Sequence, residues 1–135
     1  MSQNNKLPFF HISPIRGLDK INEDCGYIFC SMDEVHYKGP NVLVLHFMDV
    51  EYEKHPDRFT ENDAKAIKSF VEELMDKRIS EFFICCDFGQ SRSPAIAAAL
   101  SESFGLGSDY IWNNKEDYEP NALVYRILKD ELNKM

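Results

Sequence analysis

The sequence predicts an α/β fold in three layers, with a central, mostly parallel sheet of about four to five strands flanked by helices. Three observations predict it. Short runs rich in β-branched, aromatic and other apolar residues recur at residues 7–12, 27–30, 42–45 and 82–85. Helix-forming stretches follow the last two of these runs, so strands and helices alternate in the second half of the chain. The stretch between residues 45 and 82 is long enough to be the right-handed helical crossover that joins parallel strands. The 135 residues fit a single domain over 1–135, and 44% hydrophobic with 28% charged residues is the composition of a chain that buries a core.

Taken in order, residues 7–12 read as the first strand, leading to a turn at Ser13-Pro14. Ile15, Leu18 and Ile21 recur every three residues and predict a short helix ending near Gly26. The strand at 27–30 follows, then a polar connection with Asp33, Glu34, His36 and Lys38, closed by Gly39-Pro40. Val42 to Leu45 is apolar enough for a central strand, and Asp49 falls where that strand runs out. Residues 51–58 form a loop. Thr60 is suited to cap a helix with Asp63 in its first turn, and Ile67, Phe70, Val71 and Leu74 place one apolar stripe on a helix over 64–77. Beyond residue 101, Phe104-Gly105-Leu106-Gly107 stops a helix, with glycine as its C-cap. Residues 108–119 hold Tyr110, Trp112, Asn113, Asn114 and Tyr118 with little periodicity, which suits either a pocket rim or an irregular loop packed on the sheet. Leu123, Val124, Ile127, Leu128 and Leu132 make a closing helix from Pro120 or Asn121 to Leu132.

The most informative stretch is residues 81–101, EFFICCDFGQSRSPAIAAALS, a buried strand, a tight polar loop and a helix in immediate succession. Gly89 can supply the permissive backbone of the turn, Ser91 or Ser93 can cap the helix, and Pro94 suits its first turn. Loop amides then stand at the positive end of a helix dipole with Arg92 beside them, which is an anion cradle. Cys86 sits at the strand's end, where the same field favours a nucleophilic thiolate. A bland alternative is an inert buried thiol, which would leave Arg92 beside it without an anion.

Cys86, five intervening residues, then Arg92-Ser93, with glycine third after the cysteine, resembles the active-site loop of the cysteine-dependent protein tyrosine phosphatases. The likeness is greatest to small dual-specificity-like and compact prokaryotic-type members. The resemblance implies phosphomonoester hydrolysis through a phosphocysteine on Cys86, with Arg92 and the loop residues Asp87, Phe88, Gly89, Gln90, Ser91 and Arg92 holding the phosphoryl oxygens. Ser93 would hydrogen-bond the sulfur. Asp49 maps onto the family's general acid, and Asp57 in the following loop competes for that role. No metal and no cofactor are implied. Many members carry histidine before the nucleophile, where this chain has Cys85, and oxidised Cys86 would have Cys85 or another nearby thiol as a partner for a protective disulfide. The other readings are a phosphate-binding module that recognises phosphoproteins with little turnover, and a sulfur-transfer domain of the rhodanese kind.

Composition narrows the partners. A net charge of −8 disfavours a nucleic-acid binder, and the loop's Asp87 and Gln90 in place of lysines favour a singly phosphorylated group, on a protein or a small aryl phosphate. No run suits a membrane span and the start lacks a signal-peptide pattern, so a cytoplasmic monomer is expected, with Cys25 and Cys30 as reduced packing residues. His46 and His55 lack partners at metal-ligand spacing and read as hydrogen-bonded structural residues.

Overall fold

A computed structural model describes residues 6–134. Strands β1 (Phe9–Pro14), β2 (Gly26–Cys30), β3 (Val42–Leu45) and β4 (Glu81–Cys86) form one all-parallel sheet in the order β1-β4-β2-β3. Helices α1 (Glu61–Asp76), α2 (Arg92–Ser103), α3 (Asp109–Trp112) and α4 (Ala122–Leu132) complete the chain. Side-chain alternation divides the strands between two cores. Phe10, Ile28, Cys30, Leu45, Phe82, Ile84 and Cys86 face the helices, whereas Tyr27, Phe29 and Cys85 face a layer built from the connections 15–25 and 31–41.

Two expectations about strands need correction. Val42–Leu45 is an edge strand, and the centre belongs to β2 and β4. Its apolar run is used on both faces, but Val42, Leu43 and Val44 stay half-buried, so composition alone does not separate an edge strand of this kind from a central one. The first strand also begins and ends two residues later than residues 7–12, because its ladder with β4 runs from Phe9 opposite Glu81 to Pro14 opposite Cys86. Pro14, expected in a turn, closes this edge strand, a position that tolerates its missing N–H.

The helix expected from Ile15 to near Gly26 is one 3-10 turn, Ile15–Gly17. Three apolar residues spaced by three cannot offset the cost of nucleating a longer helix. Ile15, Leu18 and Ile21 instead pack from an irregular segment onto Tyr27, Phe29 and Cys85.

Helix α1 begins as its sequence dictates. Thr60 Oγ1 accepts from Asp63 N (3.2 Å) while Thr60 N donates to Asp63 Oδ2 (2.9 Å), a reciprocal capping box. Ala64, Ile67, Val71 and Leu74 are buried against the sheet, with Phe70 half-buried beside them. This crossover brings the chain from edge strand β3 to β4. Helix α2 is buried at every residue from Arg92 to Ser101, and its alanines let it lie close between the sheet and α4. Gly105, at φ +75°, ends it. Among the described residues no helix is long and apolar enough to cross a membrane.

Candidate functional site

Parallel strands place all their carboxyl ends at one edge of the sheet, the edge where open α/β folds bind ligands. There the chain leaves β4 at Cys86, makes five loop residues and enters α2 at Arg92. The loop holds its shape through Gly89, whose φ of +68° suits a residue without Cβ; a Cβ there would also lie 2.9 Å from the Pro14 nitrogen. The loop therefore packs directly on the end of β1.

A cavity of about 270 Å³ opens over this turn, lined by Asp49, Cys86, Phe88, Gln90, Ser91, Arg92 and, on its far side, residues 115–119. Cys86 is 2% exposed. Its Sγ lies 3.1 Å from Ser93 Oγ and accepts from Ser93 N at 3.4 Å, so two donors at the start of α2 can stabilise negative charge on sulfur. Among the described residues, the backbone N–H groups of Phe88, Gly89, Gln90 and Ser91 make no hydrogen bond to a protein acceptor. Two of the loop's carbonyls, by contrast, are used: Glu119 N donates to Gln90 O (2.7 Å) and Asn121 N to Ser91 O (3.0 Å).

Arg92 is buried, donating from Nη1 to Phe47 O at 2.8 Å and from Nη2 to Asp87 Oδ2 at 3.0 Å, with its guanidinium carbon 6.0 Å from the Phe47 ring centre. Asp49 stands in the connection after β3, four residues past the strand end expected to carry it. Its Oδ1 accepts from Ser91 Oγ (2.7 Å) and from Asn121 Nδ2 (2.7 Å). Asp57 is exposed and does not line the cavity; its carbonyl accepts from Met48 N (2.7 Å), which shapes the loop that carries Asp49.

The structure thus brings Cys86, Arg92, Asp49, Phe88, Gln90 and Ser91 to one cavity, with Ser93 behind the sulfur and Gly89 beneath the loop. Asp87 does not line it; it lines a neighbouring cavity of about 350 Å³, on the other side of Phe88, with Ile15, Arg16, Ser31, Asp33, Glu34 and Val35. Ser91 occupies the N-cap position of α2 but makes no side-chain cap bond; its hydroxyl donates to Asp49 Oδ1. Of the aromatics in 108–119, Tyr118 lines the cavity, while Tyr110 donates to Phe10 O (2.9 Å) and Trp112 to Glu102 (3.0 Å). The irregular loop expected for 108–119 is corrected in part: Asp109–Trp112 is a short helix, and of its aromatics Tyr110 packs on β1 while Trp112 packs on Tyr125 of α4.

Asn121 is the residue that sequence reasoning missed. It was legible as a helix start, and its Oδ1 does cap α4 by accepting from Val124 N (3.0 Å). A capping asparagine still has an NH₂ to place, and here that group holds Asp49 and Val50 O.

The other cysteines, and His46 and His55, lie outside the lining of the cavity over Cys86. Cys85 and Cys86 belong to opposite faces of the sheet, so the vicinal disulfide would require β4 to come apart. Burial first, and the neighbouring Cys86 second, push the Cys85 thiol up to about 12. Burial likewise holds the Cys30 thiol well above its usual range, and raises that of Cys25. His46 donates from Nδ1 to Ser31 O (2.6 Å), and His55 Nδ1 accepts from Asp57 N (3.0 Å). Among the described residues no group of three or more His, Cys, Asp or Glu side chains is placed to hold a metal ion. No known protein family, curated protein or solved structure matches the chain.

Proposed function

We infer that the protein is a phosphomonoester hydrolase of the cysteine-dependent tyrosine phosphatase type, acting on phosphotyrosine or with dual specificity. The observation that carries this reading is the meeting of Cys86, Arg92 and Asp49, from three separate places in the chain, in one cavity whose loop amides have no protein acceptor. Residues 86–93 carry the family resemblance at the same place. In the first step the Cys86 thiolate attacks phosphorus; the S–P bond forms as the ester P–O bond breaks. Arg92 and the loop amides hold the non-bridging oxygens as charge moves. Asp49 gives its proton to the departing oxygen, and Oδ2 is the oxygen able to carry it, since both protein donors sit on Oδ1. Water then attacks phosphorus and yields a proton to Asp49; the P–S bond breaks, inorganic phosphate leaves, and Ser93 Oγ donates to the released sulfur. No step in this scheme calls for a metal or cofactor.

The substrate proposed is a singly phosphorylated protein or small aryl phosphate, met in the cytoplasm by a monomer. The test compares wild type with Cys86→Ser on an aryl phosphate and on inorganic phosphate. Turnover should vanish in the variant while phosphate binding survives, and rapid quench of wild type should trap phosphate on the peptide containing Cys86. Turnover that persists in Cys86→Ser sinks the reading. Phosphate binding without wild-type turnover would mean a phosphate-recognition module instead.

A further inference from the structure

The five N–H groups of a guanidinium point outward in a fixed plane, so the groups that hold some of them decide where the rest aim. In Arg92 one N–H on Nη1 is given to the Phe47 carbonyl and one on Nη2 to Asp87 Oδ2, leaving three without a protein acceptor among the described residues on a side chain that lines the cavity. The Arg92 side chain is 8% exposed, and among the described residues Asp87 is the only carboxylate within ion-pair distance of it. A cation so short of water needs a counter-charge whenever the cavity holds no anion. Asp87 supplies it from the far side of the loop, since it lines the neighbouring cavity and not the one over Cys86.

We propose that Asp87 is a positioning residue: through the Asp87–Arg92 ion pair it fixes the guanidinium, together with Phe47 O, so that its remaining N–H groups meet the transferring phosphoryl group without rearrangement. The assignment rests on the phosphatase reading and deepens it. The residue after the nucleophile acts with its side chain on the arginine and only with its backbone on the ligand. A carboxylate bound in the cavity itself would compete with the substrate dianion; one bound behind the guanidinium holds it and leaves the cavity open. Preorganisation of this kind acts on the transition state more than on substrate binding.

The test measures kcat and KM on an aryl phosphate, and orthovanadate affinity by calorimetry, for wild type, Asp87→Ala and Asp87→Asn. A double-mutant cycle with Arg92→Lys accompanies them. Asp87→Ala should lower kcat and weaken orthovanadate by ~10–100-fold with KM changed less than ~3-fold. Asp87→Asn, which still accepts a hydrogen bond, should recover most of the loss. In the Arg92→Lys background the alanine change should cost little more. Asp87→Ser replaces the alanine variant should that fail to fold. Variants that bind orthovanadate as tightly as wild type or more tightly, or that lose activity equally with and without Arg92, overturn the assignment. Wild type that neither binds orthovanadate nor hydrolyses the ester overturns the phosphatase reading instead.

Discussion

The two walls of the cavity are held in place by different means. The wall formed by residues 87–91 is local: five residues join a buried strand to a buried helix, and Gly89 presses the turn onto Pro14. The opposite wall, residues 115–119, lies between α3 and α4 and is held at a distance. Near the far end of α2, the Glu102 carboxylate collects Ser108 Oγ (2.6 Å), Trp112 Nε1 (3.0 Å), Tyr125 Oη (2.5 Å) and Lys129 Nζ (2.8 Å), tying α2, α3 and α4 together. Glu119 N and Asn121 N bind the carbonyls of Gln90 and Ser91. In the proposed reaction the local wall would supply the reacting atoms, and the distant wall would set the space around them. Asp49 belongs to neither wall and is bound by Ser91 of the local wall and by Asn121, the N-cap of α4 just beyond the distant one.

The sharpest test of that division is Asp49→Asn against Asp57→Asn. The first should lower kcat on an alkyl or poor-leaving aryl phosphate by ~10²–10⁴-fold and remove one limb of its pH–rate profile. The second should stay within about two-fold of wild type, because Asp57 contributes its carbonyl to loop shape and its side chain lies outside the cavity. Equal losses in both variants would place the proton donor elsewhere in residues 47–58.

Gly89→Ala attacks the local wall. Positive φ costs alanine about 1–2 kcal/mol, and a Cβ 2.9 Å from the Pro14 backbone nitrogen forces the loop off β1. Displacing the amides by a fraction of an ångström should reduce turnover by about 100-fold with only a modest drop in melting temperature. Full activity in this variant would show that the loop amides do not hold the phosphoryl oxygens.

That wall was also the one legible beforehand, and the reason is its locality. Strand, glycine, arginine, serine and alanine-rich helix occupy consecutive positions, so their spacing in sequence is their spacing in the site. The capping box at Thr60 and Asp63 was legible for the same reason. The distant wall depends on Glu102 meeting Lys129, and on Asn121 reaching Asp49, across a fold that periodicity does not specify. Sheet order was illegible likewise: Val42–Leu45 is as apolar as a central strand, and its place at the edge is decided by where the α1 crossover returns the chain. The helix expected from Ile15 failed because apolar spacing of three residues also fits an irregular segment laid on a sheet.

Glu102→Gln attacks the distant wall and should act mainly on stability. Burial by itself would raise this carboxyl, but hydrogen bonds from Lys129, Ser108, Tyr125 and Trp112 outweigh it and hold the group at about 2 against an ordinary 4.5. A folded-state value below the unfolded one gives stability that is present above about pH 4.5 and is lost as pH falls towards 2. Urea unfolding should therefore show wild type more stable than the variant by roughly 2–3 kcal/mol at neutral pH. The gap should narrow at about pH 3. A gap that does not change with pH would mean that shape, not charge, is what Glu102 contributes. Turnover should fall only a few-fold, since the variant loosens residues 115–119 without touching the loop over Cys86.

Cys85→Val should have the smallest effect on turnover, although it alters the residue next to the proposed nucleophile. Cys85 is fully buried among Tyr27, Phe29 and Phe83, on the face of β4 turned away from the cavity. Valine is apolar and suits a strand but adds about one methyl group to a buried site, so stability should fall by about 1 kcal/mol while kcat changes little. With its thiol at about 12, Cys85 carries no negative charge near neutral pH to repel or assist the sulfur of Cys86. Mild peroxide treatment followed by peptide mass spectrometry extends the test. Wild type and Cys85→Val should give the same oxidised forms of Cys86, because a bond from Cys86 to Cys85 must cross the sheet. A linked Cys85–Cys86 peptide from the folded protein would show that β4 opens at its carboxyl end, and that the local wall is less rigid than its short length implies.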